Sequence, residues 1–223
     1  MSKVILSKKT LDVLKNFATI NSSIVFRKGS TVRTISNAEN ILAKFTGEEV
    51  FPTDFAIYDL GQFLSGISLF SDPLLEFDNE NFVNIRGGRQ SARYYFSDPE
   101  ITLKSAPEKN VRFPGADLQF NLTGEELIQL QKASAVYGLP DLTFQSEEGL
   151  DTIKLILRDK ENDTSNTYDL TVAGCSTGTY SLDIKIENIR LLPGDYTVKV
   201  SSHLISEWTN SNLDLTYYVG LEP

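Results

Sequence analysis

Apolar residues recur at helical spacing in two stretches that begin alike. Leu6-Ser7-Lys8-Lys9-Thr10-Leu11-Asp12-Val13-Leu14 matches Leu122-Thr123-Gly124-Glu125-Glu126-Leu127-Ile128-Gln129-Leu130 at an offset of 116 residues. Both read as helix starts. Ser7 and Thr123 are good N-caps, because a hydroxyl can accept from a backbone N–H that has no partner inside the helix. Leu6 and Leu122 precede the caps and are placed to staple onto Leu11 and Leu127. Glu126 stands where a capping-box carboxylate belongs; Thr10 is its weaker counterpart. At about 100° per residue the first helix turns Leu11, Leu14, Phe17 and Ala18 inward, and Lys8, Asp12, Lys15, Asn16 and Thr19 outward. The second turns Leu127, Leu130, Ala133 and Ser134 inward, and Ile128, Gln131, Lys132 and Ala135 outward. Each stripe needs a sheet to cover it.

The sequence after each helix supplies strands. Residues 24–27 and 31–35 flank Lys28-Gly29-Ser30 and read as a hairpin. Further strands are expected at 74–77, 82–85 and 92–96, separated by Asp78-Asn79-Glu80-Asn81 and by Gly87-Gly88. The second half repeats the pattern at 142–144, 152–157, 167–172, 196–200 and 215–219. A second short helix is expected in each half, within 59–67 and within 187–192, the latter stopped by Pro193-Gly194. The architecture is therefore α+β, with two similar domains at 1–104 and 116–223. A connector at 105–115 joins them, and its Val111 and Phe113 are too apolar for a free linker.

Net charge changes the picture only through its distribution. The chain of 223 residues carries −9, with 21 Lys+Arg against 30 Asp+Glu. Residues 1–104 balance at 12 each, so all the excess acid lies in the second half. An acidic surface repels phosphate, which leaves any nucleic-acid role to a local basic face. One cysteine (Cys175) and one histidine (His203) exclude an intrachain disulfide and a Cys/His zinc site. No phosphate-cradling GxxxxGK[ST] loop occurs. The 159–163 stretch lacks the glycine and terminal Glu of a calcium loop. His203 has no evident catalytic partners. No cofactor and no enzymatic activity are expected. No apolar run reaches signal-peptide or membrane-span length, so a soluble, intracellular protein is expected.

Residues 6–10 and 14–22 closely resemble the first helix of the sliding clamps of T-even-type bacteriophages. Three further segments fit that family: 56–60 with Phe63-Leu64, the Pro193-Gly194-Asp195-Tyr196 turn, and the terminal Tyr218-Val219-Gly220-Leu221-Glu222. The resemblance implies a DNA polymerase processivity factor, a homotrimeric ring of six domains with helices lining the hole and sheets outside. It implies double-stranded DNA held without sequence preference, the replicative polymerase, an ATP-driven clamp loader and late-transcription factors as partners, and the cytoplasm of an infected bacterial host as location.

Sliding needs diffuse positive charge without base readout. The outward faces offer Lys8, Lys9, Lys15, Asn16 and Lys132 as DNA-facing residues, with Lys185 and Arg190 in addition. The same lysines could also be ordinary solvated helix faces. Family partners bind through peptide tails near the connector, which makes Val111, Phe113, Pro114, Tyr217, Tyr218, Val219 and Leu221 the expected pocket; the tyrosines could equally close a core. Ile101, Leu103, Tyr168 and Leu170 are expected at the subunit interface from order along the chain. Two rivals remain: a monomeric, non-ring processivity factor, which would want a strongly basic face, and a two-domain β-rich structural or virion protein.

Overall fold

The computed structural model describes residues 2–98 and 104–223. Ile101 and Leu103 lie outside them. The chain forms two compact units, Met1–Lys109 and Asn110–Pro223.

Both units follow one element order. The first runs β1 (Ser2–Val4), α1 (Lys8–Ile20), β2 (Ile24–Phe26), β3 (Gly29–Ile35), β4 (Ile41–Phe51), β5 (Phe55–Ile57), α2 (Leu60–Ser68), β6 (Leu74–Phe77), β7 (Phe82–Gly87) and β8 (Gln90–Tyr95). The second runs β9 (Leu118–Leu122), α3 (Gly124–Tyr137), β10 (Asp141–Ser146), β11 (Thr152–Arg158), β12 (Tyr168–Ser176), β13 (Tyr180–Lys185), a single 3-10 turn (Ile186–Asn188), β14 (Tyr196–Ser201), β15 (Ile205–Asn210) and β16 (Leu215–Gly220). The sequence repeat thus extends to the whole unit. The second helix expected at 187–192 is the exception. Only the 3-10 turn forms, and Pro193-Gly194 follows too soon for a helix to pay back its nucleation.

In the first unit β1-β6-β7-β8 form an antiparallel sheet. The hairpin expected across residues 28–30 does not form. β2 pairs with β5, and β3 pairs with β4, a strand the sequence reading passed over. Asp54 explains the divergence. Its carboxylate accepts from Lys28 N at 2.7 Å and Arg27 Nη1 at 3.0 Å, which ties the end of β2 to the segment before β5. Gly29, at φ +122°, then turns the chain away, in a backbone region that L side chains rarely adopt. Phe26 stacks on Phe55 at 4.5 Å between ring centres, and Phe51 closes on both.

The strands of the second unit are ordered β13-β10-β11-β12-β9-β14-β15-β16. Past β16, Glu222 N donates to Asp183 O at 2.8 Å, so the end of the chain reaches back to β13. Trp208 is fully buried; its Nε1 donates to Ser206 Oγ, which donates to Val219 O, so no buried polar atom there is left unpaired.

Each helix covers a core. On α1 the buried side is Thr10, Val13, Leu14, Phe17 and Ile20. That face is turned from the expected one: Val13 is fully buried, while Leu11 and Ala18 sit half-buried at its margin. On α3 Leu127, Leu130, Ala133 and Ser134 are buried, as the periodicity predicts. Burying one Val, Leu or Phe side chain contributes about 1.5–3 kcal/mol, so these faces hold the helices down.

Candidate nucleic-acid interface

On α1, Lys8, Asp12, Lys15 and Thr19 follow one line opposite the core, with Lys9 and Asn16 on its flank. The three lysines and Thr19 are exposed; Asp12 and Asn16 are half-buried. Lys15 Nζ lies 3.8 Å from Asp12 Oδ1, a loose exposed pair that leaves the face net positive. The exposed positions of α2 are Gly61, Gln62, Ser65 and Ser68, none of them charged.

Lysines at the first two positions of a helix oppose the positive end of its dipole. α1 has no acidic residue in its first turn. A carboxylate from β4 takes that place. Ser7 N donates to Glu49 Oε1 at 2.5 Å, and Thr10 Oγ1 donates to Glu49 Oε2 at 2.6 Å. Burial pushes the Glu49 carboxyl up, but the Thr10 and Ser7 hydrogen bonds outweigh it and hold it below the ordinary range. Glu49 therefore lets α1 keep cations at its N-terminus. Nothing in its local sequence marks it, since it lies 42 residues from Ser7.

α3 solves the same problem within itself. Thr123 and Glu126 form a reciprocal capping box, and Glu125 adds a second first-turn acid. Its exposed face carries one cation, Lys132, between Ile128 (39% exposed) and Val136 (76%). Lys185 is not a free cation. Its Nζ sits 2.6 Å from Oδ1 of the fully buried Asp141, which also accepts from Lys160 N. That hydrogen bond raises the Lys185 pKa. Burial pushes Asp141 up, and the Lys160 and Lys185 contacts bring it below its usual value. Lys185 is thus part of a structural pair. Arg190 is exposed, with its Nε on Glu187 O at 3.0 Å. Of the 30 Asp and Glu, the helices, their caps and the 3-10 turn carry only Asp12, Asp59, Glu125, Glu126 and Glu187 among the described residues. The other described Asp and Glu lie on strands and loops.

The expected partner pocket divides. Tyr217 and Val219 are fully buried and Leu221 nearly so; these three belong to the second unit's core rather than to an open wall. Tyr217 Oη accepts from Leu192 N at 3.1 Å, and Tyr196 Oη donates to Leu192 O at 2.5 Å, so the two rings hold the loop before β14. Burial pushes Tyr196 up to about 12. Val111, Phe113 and Tyr218 are half-buried and Pro114 is exposed. Burial, then the Glu207 charge, pushes Tyr218 up to about 12. Leu204, 39% exposed at the β14–β15 turn with φ +61°, is an apolar surface residue that the sequence reading missed.

Ser201 Oγ lies 3.4 Å from His203 Nδ1 and 3.4 Å from Asp117 Oδ2. In a catalytic triad the carboxylate holds the imidazole. Here Asp117 bonds the serine, and it also accepts from Ser202 N, Thr177 Oγ1 and Tyr180 Oη, so it is a turn clamp. The Ser202 N–H holds its carboxyl below the usual value.

Tyr168 and Leu170 are half-buried on β12. β12 pairs with β11 through Tyr168–Ala173 and with β9 only through Gly174–Ser176. The far side of 168–173 therefore has no strand neighbour among the described residues. The same holds for the outer side of β8.

The family description "DNA polymerase processivity factor" matches residues 6–95. The sliding clamp of Vibrio phage KVP40 is 35% identical over 222 residues, covering 97% of this chain and 98% of the relative. The sliding clamp of Enterobacteria phage T4 is 30% identical over 198 residues, 86% of this chain and 84% of the relative. Among solved structures, A. fulgidus PCNA with the C-terminal region of FEN-1 bound superposes with a TM-score of 0.72 at 12% identity, over 100% of this chain and 99% of that one. Two units of one order, a lysine-bearing helix and a relative matched from end to end agree: this chain belongs to the sliding-clamp family of DNA polymerase processivity factors.

Proposed function

We propose that three copies close head to tail around duplex DNA, with the helices toward the duplex, and tether the replicative polymerase as a mobile ring without catalysis of its own. The observation that carries this is the exposed face of α1. It places Lys8, Lys9 and Lys15 together in a protein of net charge −9 whose acid lies mostly off the helices. Long flexible cations suit phosphates and read no sequence. Topology supplies the holding, so the inner face needs little affinity. The open edges of β8 and β12 support closure, since a heterologous contact whose rotation closes gives a ring. The chain has no phosphate loop, so ATP-driven opening falls to a separate loader.

For partner tails, a clamp with FEN-1's C-terminal region bound gives the precedent. Here Val111, Phe113, Pro114, Tyr218 and Leu204 are the accessible apolar groups for such a peptide, and late-transcription factors would use the same surface.

Two measurements test the reading. Sedimentation equilibrium should give a species near three times the 24.9 kDa chain mass; a monomer at every concentration would leave the non-ring processivity factor as the better account. Binding to a short duplex at rising salt should lose up to about 3 from its log–log slope in Lys8→Ala/Lys9→Ala/Lys15→Ala. An unchanged slope would remove α1 from the DNA contact.

A further inference from the structure

We propose that charge guides the joint between copies: the arginine-bearing tip of the β7–β8 hairpin of one copy seats against the acidic β10–β11 turn of the next. The inference rests on the head-to-tail ring proposed above and adds what selects the partner edge. The two open edges match in length, Gln90–Tyr95 against Tyr168–Ala173. An unpaired edge alone accepts any strand, so a specific joint needs a second determinant.

Residues 82–95 carry Arg86, Arg89 and Arg93 and no acid. Arg86 Nε lies 2.7 Å from Glu76 Oε2, while Glu76 Oε1 lies 3.4 Å from Lys3 Nζ. One carboxylate thus faces two cations, and a positive charge is left over. The Arg93 guanidinium lies 4.1 Å from the centre of the Phe82 ring, which holds it at the surface. Arg89, beside Gly88 (φ +57°) at the hairpin tip, is exposed.

The receiving edge is the complement. Mid-strand, Lys154 and Asp169 cancel at 2.6 Å. At the Ala173 end the β10–β11 turn carries Glu147, Glu148 and Asp151, all exposed and with no cation among residues 147–152. Asp151 O accepts from Gly174 N at 3.1 Å, which fixes that turn beside the edge. The strand pairs within each unit are antiparallel. Antiparallel addition of β8 runs Gln90 toward Ala173 and Tyr95 toward Tyr168. It brings Arg89 to the acidic turn. Opposite charges then speed encounter, and wrong edges are penalised by like-charge contact.

Sedimentation equilibrium on the full chain at about 50 mM and about 500 mM NaCl tests this, because salt screens exposed charge pairs. The ring's dissociation constant should rise at least ~10-fold between the two salts, and by a similar factor at low salt in Arg89→Glu or in Glu148→Arg/Asp151→Arg. Combining the reversals should bring it back to within ~3-fold of the parent, a rescue that misfolding could not produce. A trimer indifferent to salt, with no rescue, overturns the charge-guided joint and leaves the ring standing. Rescue of Arg89→Glu by Glu161→Arg/Asp163→Arg instead overturns the antiparallel seating. A parent chain that is monomeric in both salts removes the ring itself.

Discussion

Replacing Glu49 tests how α1 tolerates lysines at its N-terminus. Glu49→Ala removes two hydrogen bonds to a charged acceptor, from Ser7 N and Thr10 Oγ1. Such bonds contribute about 1.5–3 kcal/mol when buried, and this half-buried site puts them near the lower end. Losing the negative charge at the helix N-terminus adds about 0.3–1 kcal/mol. The expected cost is about 3–4 kcal/mol, confined to the first unit. Glu49→Gln keeps an acceptor and loses the charge, so it should cost about half as much. The buried Trp208 lies in the second unit, so its fluorescence is an internal control. Urea titration followed by circular dichroism, with amide exchange over residues 6–20, reads the effect. The sign with pH is fixed. The folded Glu49 carboxyl lies below its unfolded value, so its contribution is fully present above the unfolded pKa of about 4.3 and fades as pH falls through the folded one. Glu49→Ala should therefore narrow its deficit in acid. A loss under about 0.5 kcal/mol, or a deficit constant down to the folded pKa, would refute the account.

Two further predictions separate structural from functional cations. Lys8→Glu should stabilise the fold by about 0.3–1 kcal/mol through the helix dipole while lowering the salt slope of DNA binding by about 1 or more; a variant better in both respects would contradict the role given to α1. Lys185→Met should cost about 3 kcal/mol in urea titration, because it leaves the fully buried Asp141 without its cation and with only the Lys160 N–H as a partner, and should leave the DNA salt slope unchanged. A fall in that slope would return Lys185 to the DNA face.

The repeat was legible because helix starts are local: the Ser7 and Thr123 hydroxyls bond N–H groups three residues on. α3 also shows its true face, because Leu127, Leu130, Ala133 and Ser134 recur at helical spacing, although Ile128 and Val136 on the other side are apolar too. The true α1 face is hidden because Thr10 reads as a weak capping residue, whereas its hydroxyl, satisfied by Glu49, goes inward. What could not be read was long-range. β4 alternates Ile41, Ala43 and Phe45 inward but continues through Gly47-Glu48-Glu49, which resembles a turn. Lys185 looked like a solvated cation because Asp141 is 44 residues away. Tyr217 and Val219 looked like groove walls because period-two alternation does not say which face of β16 meets the core.

The two helix caps also bear on when each helix can form. α3 carries its whole cap between Thr123 and Glu126, so it can nucleate as soon as its own sequence exists. α1 needs a carboxylate 42 residues downstream and must wait for that loop to close. During synthesis α1 would stay unfinished until β4 follows it out of the ribosome. In refolding, α3 amides should gain protection from exchange before those of α1. The lysine face would then be assembled late, after the strand that supports it is in place.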